Sequence, residues 1–136
     1  MLDPTAERGR GEVASAISTR TVQVMHEHTG RGPTKARTVI DRDFVTVVME
    51  DSLTHAERNL VESGLATKVL ETRHDFQRLM SEELIGLVEE ETGRKVRAFM
   101  SDNHIDPDVA AEVFVLEPIP ENGDRPRPEA DGASGD

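Results

Sequence analysis

A stretch of about 26 residues, 66–91, constrains the fold of this chain more than any other feature. Its apolar residues recur every three or four positions, which is the spacing of one helical face. The stripe consists of Val69, Phe76, Met80, Leu84, Leu87 and Val88. A helix of this length reaches about 39 Å, whereas an eight-residue strand reaches about 26 Å, so part of the helix must extend past any sheet that it covers.

Four short segments rich in β-branched and apolar residues predict the sheet. Segments 36–40 and 44–50 are separated by Asp41-Arg42-Asp43 and predict a hairpin of two antiparallel strands. Segment 94–101 alternates in polarity, and 110–117 contains Val113, Phe114, Val115 and Leu116 in succession. These two segments predict the third and fourth strands.

Two further helices complete the predicted fold. Val13, Ile17 and Val24 recur at helical spacing within 5–28, and the helix should end at Gly30. Thr54 and Glu57 have the spacing of a capping box, which predicts a short helix over 55–62. The predicted fold class is therefore α/β of the α+β type. It is a two-layer domain in which a four-stranded, mainly antiparallel sheet from two β-hairpins packs with a long helix, a short helix and an N-terminal helix.

The chain divides into one domain and two polar ends. Residues 11–118 form the predicted domain, and residues 1–10 are expected to be a flexible N-terminus. Four of the seven prolines occur from Pro118 onward, mixed with Gly, Asp, Glu and Ser. Because such a composition buries too little apolar surface to offset the entropy of ordering, we expect 119–136 to be a disordered acidic tail.

Composition and charge exclude several classes of protein. The formal net charge is −11 and aromatic residues make up only 3%, so a nucleic acid is an unfavourable partner. There is no cysteine, which excludes disulfides and thiolate metal sites. No apolar run is long enough to span a bilayer and no signal segment is recognisable, so we expect a cytoplasmic protein. Nothing in the sequence predicts a cofactor.

Strands two and four predict an additional covering layer. Val45 and Val47 face away from Phe44 and Val48, so the second strand is apolar on both sides, as is the fourth. A two-sided apolar strand usually means that both sheet faces are covered. Helices could cover one face and a second subunit the other, which favours a homodimer. The alternative is a monomer whose first helix wraps the second face.

A basic, glycine-containing loop is the first candidate binding site. The segment 31–37 of this acidic chain contains Arg31, Gly32, Lys35 and Arg37. Together these residues could hold a phosphate or carboxylate. The loop lacks the full spacing of a Walker loop and leads into a strand. The alternative interpretation is a helix cap and a connecting turn with solvated charges.

A second candidate is a metal site of Asp102, His104, Asp106 and Asp108. The segment lacks the glycine and the distal glutamate of an EF-hand loop, and Asp and Asn are also common turn residues.

The histidines do not indicate a catalytic site. His26 and His28 point apart on a helix, and His74 lies beside Arg73, Asp75 and Arg78 on the predicted polar side of the long helix. No catalytic triad can be argued from residue order, so a non-enzymatic role is favoured over a metal-assisted hydrolase.

Four short motifs in succession resemble one known family. They are Gly30-Arg31-Gly32-Pro33, Leu53-Thr54-His55-Ala56-Glu57, Thr92-Gly93-Arg94-Lys95-Val96 and Val113-Phe114-Val115-Leu116-Glu117. Together they resemble the MpsC-like family, named for a component of a Na+-translocating, membrane-potential-generating system. The resemblance covers about residues 10–118 and implies a soluble accessory or regulatory protein, peripheral to the membrane through a transporter subunit. It implies no catalytic residues. The alternative function is a small-molecule or anion sensor that uses the basic loop.

Overall fold

The computed structural model describes residues 9–120, which form three helices and four strands. In chain order these are α1 (Arg10–Thr29), β1 (Lys35–Asp41), β2 (Phe44–Glu50), α2 (His55–Glu62), α3 (Ala66–Thr92), β3 (Val96–His104) and β4 (Val109–Leu116). Most of the predicted flexible N-terminus, residues 1–8, lies outside the described residues, as does 121–136 of the predicted tail.

The strands form one antiparallel sheet in the order β1-β2-β4-β3. β1 and β2 pair from Lys35↔Glu50 to Asp41↔Phe44, and β2 continues onto β4 from Phe44↔Val115 to Glu50↔Val109. β3 pairs with the outer side of β4, with a register shift between Val96 and Ala98. The predicted two-layer α+β fold with two hairpins is confirmed.

The core lies between one face of the sheet and the helices α1 and α3. From the sheet it receives Val45, Val47, Met49, Ala110, Phe114 and Leu116, and from the helices it receives Val13, Ile17, Val24, Met25, Met80, Leu84, Leu87 and Val88. α1 packs on α3 and β1, whereas α3 also packs on β3. The Phe99 and Phe114 rings lie 4.9 Å apart between centroids at the β3 side of this core.

Local chemistry fixes where the helices begin and end. The Thr54 side chain accepts a hydrogen bond from the Glu57 backbone N–H, and the Glu57 carboxylate accepts one from the Thr54 N–H, as the capping box predicts. Gly30 and Gly93 end α1 and α3 with φ of 79° and 69°, a left-handed conformation that glycine adopts without strain.

Two details differ from the sequence-based expectations. β3 runs to His104, not to residue 101, because its backbone pairing with β4 continues from Ser101↔Glu112 to His104↔Val109. Arg73 does not lie on a solvated side of α3: it is only 4% exposed, because it finds ion-pair and hydrogen-bond partners in the interior.

Candidate functional site

A group of charged and polar side chains, here called the sheet-end cluster, lies where β2 ends and β4 begins. Asp51 stands at its centre, with a φ of 60° that aspartate tolerates better than most residues. Its carboxylate accepts hydrogen bonds from the Thr34 hydroxyl, at 3.0 Å, and from the guanidinium groups of Arg31 and Arg58. The hydrogen bond from Thr34, followed by that from Arg31, holds the pKa of Asp51 below its usual value. Asp51 is thereby kept as a carboxylate.

Asp108 joins the sheet-end cluster to the backbone. Its Oδ2 accepts a hydrogen bond from the Leu53 N–H at 3.0 Å and lies 3.4 Å from Arg58 Nη2. Its carbonyl oxygen accepts the Asp51 N–H at 3.1 Å. Asp108 therefore fixes the path of the chain between β2 and α2.

Arg73 is the buried member of the sheet-end cluster. Its guanidinium donates to Glu57 Oε1 at 2.8 Å, to Ser52 Oγ at 2.8 Å and to Asn103 Oδ1 at 3.0 Å. These partners belong to α2, to the segment after β2 and to β3, so a single side chain of α3 ties three elements together. A buried charge requires such pairing, because an unpaired one would carry a desolvation cost of several kcal/mol (roughly).

Glu112 is a second buried acidic residue, next to this cluster on the core face of β4. It has no exposed surface, and neither of its carboxyl oxygens has a hydrogen-bond partner among residues 9–120. Burial raises its pKa to about 7, although the Ser101 hydroxyl opposite it and the positive charge of Arg73 act in the other direction. Glu112 therefore exchanges a proton near neutral pH.

A shallow cavity of about 290 Å³ lies between α3 and β3, close to the same region. Its lining consists of His74, Gln77, Arg78, Ser81, Phe99 and Ser101. The buried Gln77 Oε1 and Ser101 Oγ atoms have no hydrogen-bond partner within the described part of the chain. Buried polar groups of this kind are commonly bridged by water in folded proteins.

The four residues of the predicted anion site do not converge on one pocket. Arg31 is engaged by Asp51, both through its carboxylate and through its carbonyl oxygen at 3.1 Å. Gly32 lies against α1, where a Cβ would stand 2.8 Å from Val22 Cγ1. Lys35 and Arg37 are exposed on β1, on the sheet side opposite the helices. The loop thus acts as a connection between α1 and β1, with its first arginine paired to Asp51.

The predicted metal ligands do not form one group, and Asp106 lies in the turn between β3 and β4. Asp102 is exposed on β3, with Oδ1 3.9 Å from His74 Nε2, whereas Asp108 is bound into the sheet-end cluster. His104 Nδ1 lies 2.8 Å from the Pro107 carbonyl oxygen, which can only accept, so this nitrogen carries the proton. Across residues 9–120 no three His, Asp or Glu side chains form a group that could hold a metal ion.

The side of the sheet that faces away from the core, here called the open face, carries several exposed apolar side chains. It carries four cross-strand rows: Lys35-Glu50-Val109-His104, Arg37-Val48-Ala111-Asp102, Val39-Thr46-Val113-Met100 and Asp41-Phe44-Val115-Ala98. Val39, Phe44 and Met100 are 53%, 52% and 54% exposed. Of the helices in residues 9–120, none covers this side, since α1 and α3 both pack on the core face.

Charge and apolarity are separated along the open face. The two rows nearest the sheet-end cluster bear Lys35 and Arg37 on the β1 edge, and Asp102 and His104 on the β3 edge. The other two rows are predominantly apolar. Exposed apolar patches with a charged rim are typical of protein–protein contact surfaces.

Comparison with known proteins identifies the family of this chain. The model of one family, described as "Na+-translocating membrane potential-generating system (MpsC)", matches residues 9–118. The chain belongs to the MpsC family. No curated protein matches it, and neither does any solved structure. None of the helices described in this MpsC-family chain is both long and apolar enough to cross a membrane.

The motifs that carry the MpsC resemblance meet in space at the two ends of the sheet. Arg31 of the first motif shares the sheet-end cluster with Glu57 of the second. At the other end, Arg94 of the third motif donates to the carbonyl oxygen of Glu117, in the fourth, at 2.7 Å, and to Asp43 Oδ1 at 2.5 Å. The motifs therefore mark the ion-paired joints that hold the MpsC domain together.

Sequence reasoning missed Arg73 and Glu112 in this MpsC-family chain, although each carries a usable signal. Arg73 lies four residues after Val69 and seven before Met80, so helical spacing places it within the buried stripe. Glu112 alternates with Ala110 and Phe114, so a strand period of two turns it toward the core. Asp51 carries no comparable signal, because its partners Arg31 and Arg58 come from two other segments.

Proposed function

We propose that this protein is a non-enzymatic accessory protein of the membrane-potential-generating system for which its family is named, and that it acts by protein–protein interaction as a homodimer. The observation that carries this proposal is the open face. Val39, Phe44 and Met100 are each more than half exposed on one continuous sheet surface. Leaving such a patch in water is unfavourable, so a protein partner is its natural cover.

The pairing of the charged groups supports a binding role. Arg31, Arg58 and Arg73 of the sheet-end cluster are bound to Asp51, Asp108 and Glu57. These contacts fix the joints between elements, and they occupy the guanidinium group of Arg31, one of the three cations that the anion sensor would use. The geometry therefore favours the accessory protein over the anion sensor.

The net charge bears on how the protein would reach a membrane. At −11, the chain would be repelled by the negative surface potential of a cytoplasmic leaflet. We therefore expect a cytoplasmic protein that is peripheral to the membrane and is held there by a membrane protein subunit, with no direct lipid contact.

The first test is co-purification from the protein's own cells. The full chain is expressed with two different tags, membranes are dissolved in a mild detergent, and the captured proteins are identified by mass spectrometry. We expect the first tag to recover the second-tagged copy together with an integral membrane subunit of an ion transporter. Repeated recovery without any membrane protein would contradict the accessory role.

Two variants provide a matched comparison in the same experiment. Phe44→Glu places a charge on the open face, whereas Leu79→Glu places one on the exposed side of α3, where Leu79 is 67% exposed. Because both side chains are more than half exposed in the single chain, neither variant should unfold it. We expect Phe44→Glu to lose the second-tagged copy and Leu79→Glu to retain it.

A further inference from the structure

The open face has a pattern that can match itself. Its rows are fixed by the strand register, and each row runs from β1 through β2 and β4 to β3. If two copies stack these faces about a two-fold axis parallel to the strands, the β1 of one copy lies over the β3 of the other, and β2 lies over β4. This rotation leaves the position of each residue along the strand direction unchanged, so each row faces the same row of the second copy.

This arrangement sets opposite charges together in one row and apolar side chains together in the two apolar rows. The row at the polar end does not match in this way, since Glu50 faces Val109 and Lys35 faces His104. Arg37 faces Asp102 of the second copy, and by symmetry Asp102 faces Arg37, since both belong to the same row. In the next rows, Val39 faces Met100, and Phe44 faces Val115. Apolar contacts thus occupy the middle and one end of the interface, and two ion pairs lie at its edges, where solvent-exposed pairs set orientation more than affinity.

The other face-to-face two-fold, with its axis perpendicular to the strands, gives a poor match. This rotation reverses the order of the rows along the strand direction, so the polar rows face the apolar rows of the second copy. Glu50 would then face Phe44, and Asp102 would face Met100. The three exposed large apolar side chains of the open face, Val39, Phe44 and Met100, would then all face charged groups. The parallel axis sets each of them against an apolar side chain, so the parallel axis is preferred.

The size of the open face is close to what a second copy needs, and side-chain relief adds to its flat area. Four strands at about 4.8 Å spacing and about 24 Å length give roughly 450 Å² of flat area, or about 900 Å² for two copies before side-chain relief is added. A specific interface needs about 1,000 Å² or more. Segment 121–136 makes a poor alternative cover, because it contains no apolar residue larger than alanine other than prolines.

We infer that two copies of this chain stack their open faces about a two-fold axis parallel to the strands, so that Arg37 of each copy pairs with Asp102 of the other. This inference rests on the homodimer proposed above and assigns its surface and symmetry. The resulting four-layer molecule, helices outside and two sheets inside, covers the apolar side of every strand.

Sedimentation equilibrium of the purified full chain tests the arrangement, with refractive-index detection because the chain has no Trp or Tyr. The variants are Arg37→Asp, Asp102→Arg and the two combined, with Arg78→Asp as the matched control, since Arg78 is an exposed arginine on α3. We expect each single reversal to raise the dimer dissociation constant about tenfold or more. The combined variant should restore it to within about threefold of wild type, and Arg78→Asp should leave it unchanged.

Each other outcome separates this arrangement from the broader proposal. A dimer that survives Phe44→Glu uses another surface, which overturns the stacking and leaves the homodimer standing. A dimer that Phe44→Glu dissociates but the Arg37 and Asp102 reversals do not affect has a different axis, which overturns the assigned symmetry. A wild-type chain that stays monomeric at about 100 μM overturns both.

Discussion

Arg73 and Glu112 are neighbouring buried ionisable residues, but only the charge of Arg73 is compensated by an ion pair. Arg73 has three hydrogen-bond partners, one of which is the carboxylate of Glu57, so its charge is compensated. Glu112 has none within the described residues, and the positive charge of Arg73 does not outweigh the cost of burial. At Glu112 the cost of burial outweighs both the nearby Ser101 hydroxyl and the positive charge of Arg73, so its pKa is raised.

The raised pKa of Glu112 predicts a pH-dependent stability that Glu112→Gln removes. Between the ordinary value of 4.5 and about 7, the folded state binds the proton more tightly than the unfolded state, so this group's contribution is fully present below pH 4.5 and is lost as the pH rises toward 7. The pKa difference corresponds to on the order of 3 kcal/mol. Relative to wild type, Glu112→Gln should therefore be as stable near pH 4.5 and more stable at pH 8.

Urea unfolding at a series of pH values, followed by circular dichroism, measures this difference. Glu82→Gln is the matched control, because Glu82 is exposed on α3 and should show no pH-dependent gain. A Glu112→Gln effect that is the same at pH 4.5 and pH 8 would show that Glu112 titrates normally in the folded protein.

The packing of α1 against the loop before β1 depends on one glycine. A Cβ at Gly32 would stand 2.8 Å from Val22 Cγ1 and 3.2 Å from the Val22 carbonyl oxygen, so the loop or the helix must shift to admit it. We expect Gly32→Ala to lower the free energy of unfolding by about 1–3 kcal/mol. Gly86→Ala is the matched control: it lies within α3 with open space at its Cβ, and should raise that free energy by about 0.5–1 kcal/mol. Denaturant melts that gave the two variants the same sign would contradict this account.

Local signals in the sequence predict the elements well and the joints between them poorly. The capping box of Thr54 and Glu57 and the glycines at 30 and 93 place helix ends within about two residues, because each acts through its own backbone. The C-terminal end of β3 was predicted three residues too early, since pairing with β4 sets it. The sheet-end cluster could not be predicted, because Arg31, Asp51 and Asp108 come from segments distant in sequence.

In the candidate sites, too, the sequence predicts what depends on neighbouring residues and does not predict contacts between distant segments. Strand alternation places Lys35 and Arg37 on one side of β1, as their spacing implies. Arg31 lies before the strand and turns to Asp51, a partner twenty residues away that no local pattern identifies. Neighbouring residues of the basic loop therefore lie in different places: Arg31 contacts the sheet-end cluster, whereas Lys35 and Arg37 lie on the open face.

At the scale of the whole molecule, the described helices cover one side of the sheet and leave the other side exposed. The two-sided apolar character of β2 and β4 is explained by this arrangement: Val45, Val47 and Met49 face the helices, whereas Phe44 and Val48 face outward. A chain with only 3% aromatic residues has few large groups with which to build a core, yet one of its four phenylalanines lies on the open face. An aromatic residue there is consistent with an interface.

If folding and association are coupled through the open face, the melting temperature depends on protein concentration. Mass action stabilises a dimer by about 1.4 kcal/mol for each tenfold rise in concentration, or about 0.7 kcal/mol per chain. For a domain of this size that corresponds to a rise of about 2–5 °C between 10 and 100 μM. Thermal melts followed at the helical circular dichroism band should show this rise for wild type and for Leu79→Glu, and no rise for Phe44→Glu. A wild-type melting temperature that is equal at both concentrations would mean that the open face is not covered by a second copy of the chain.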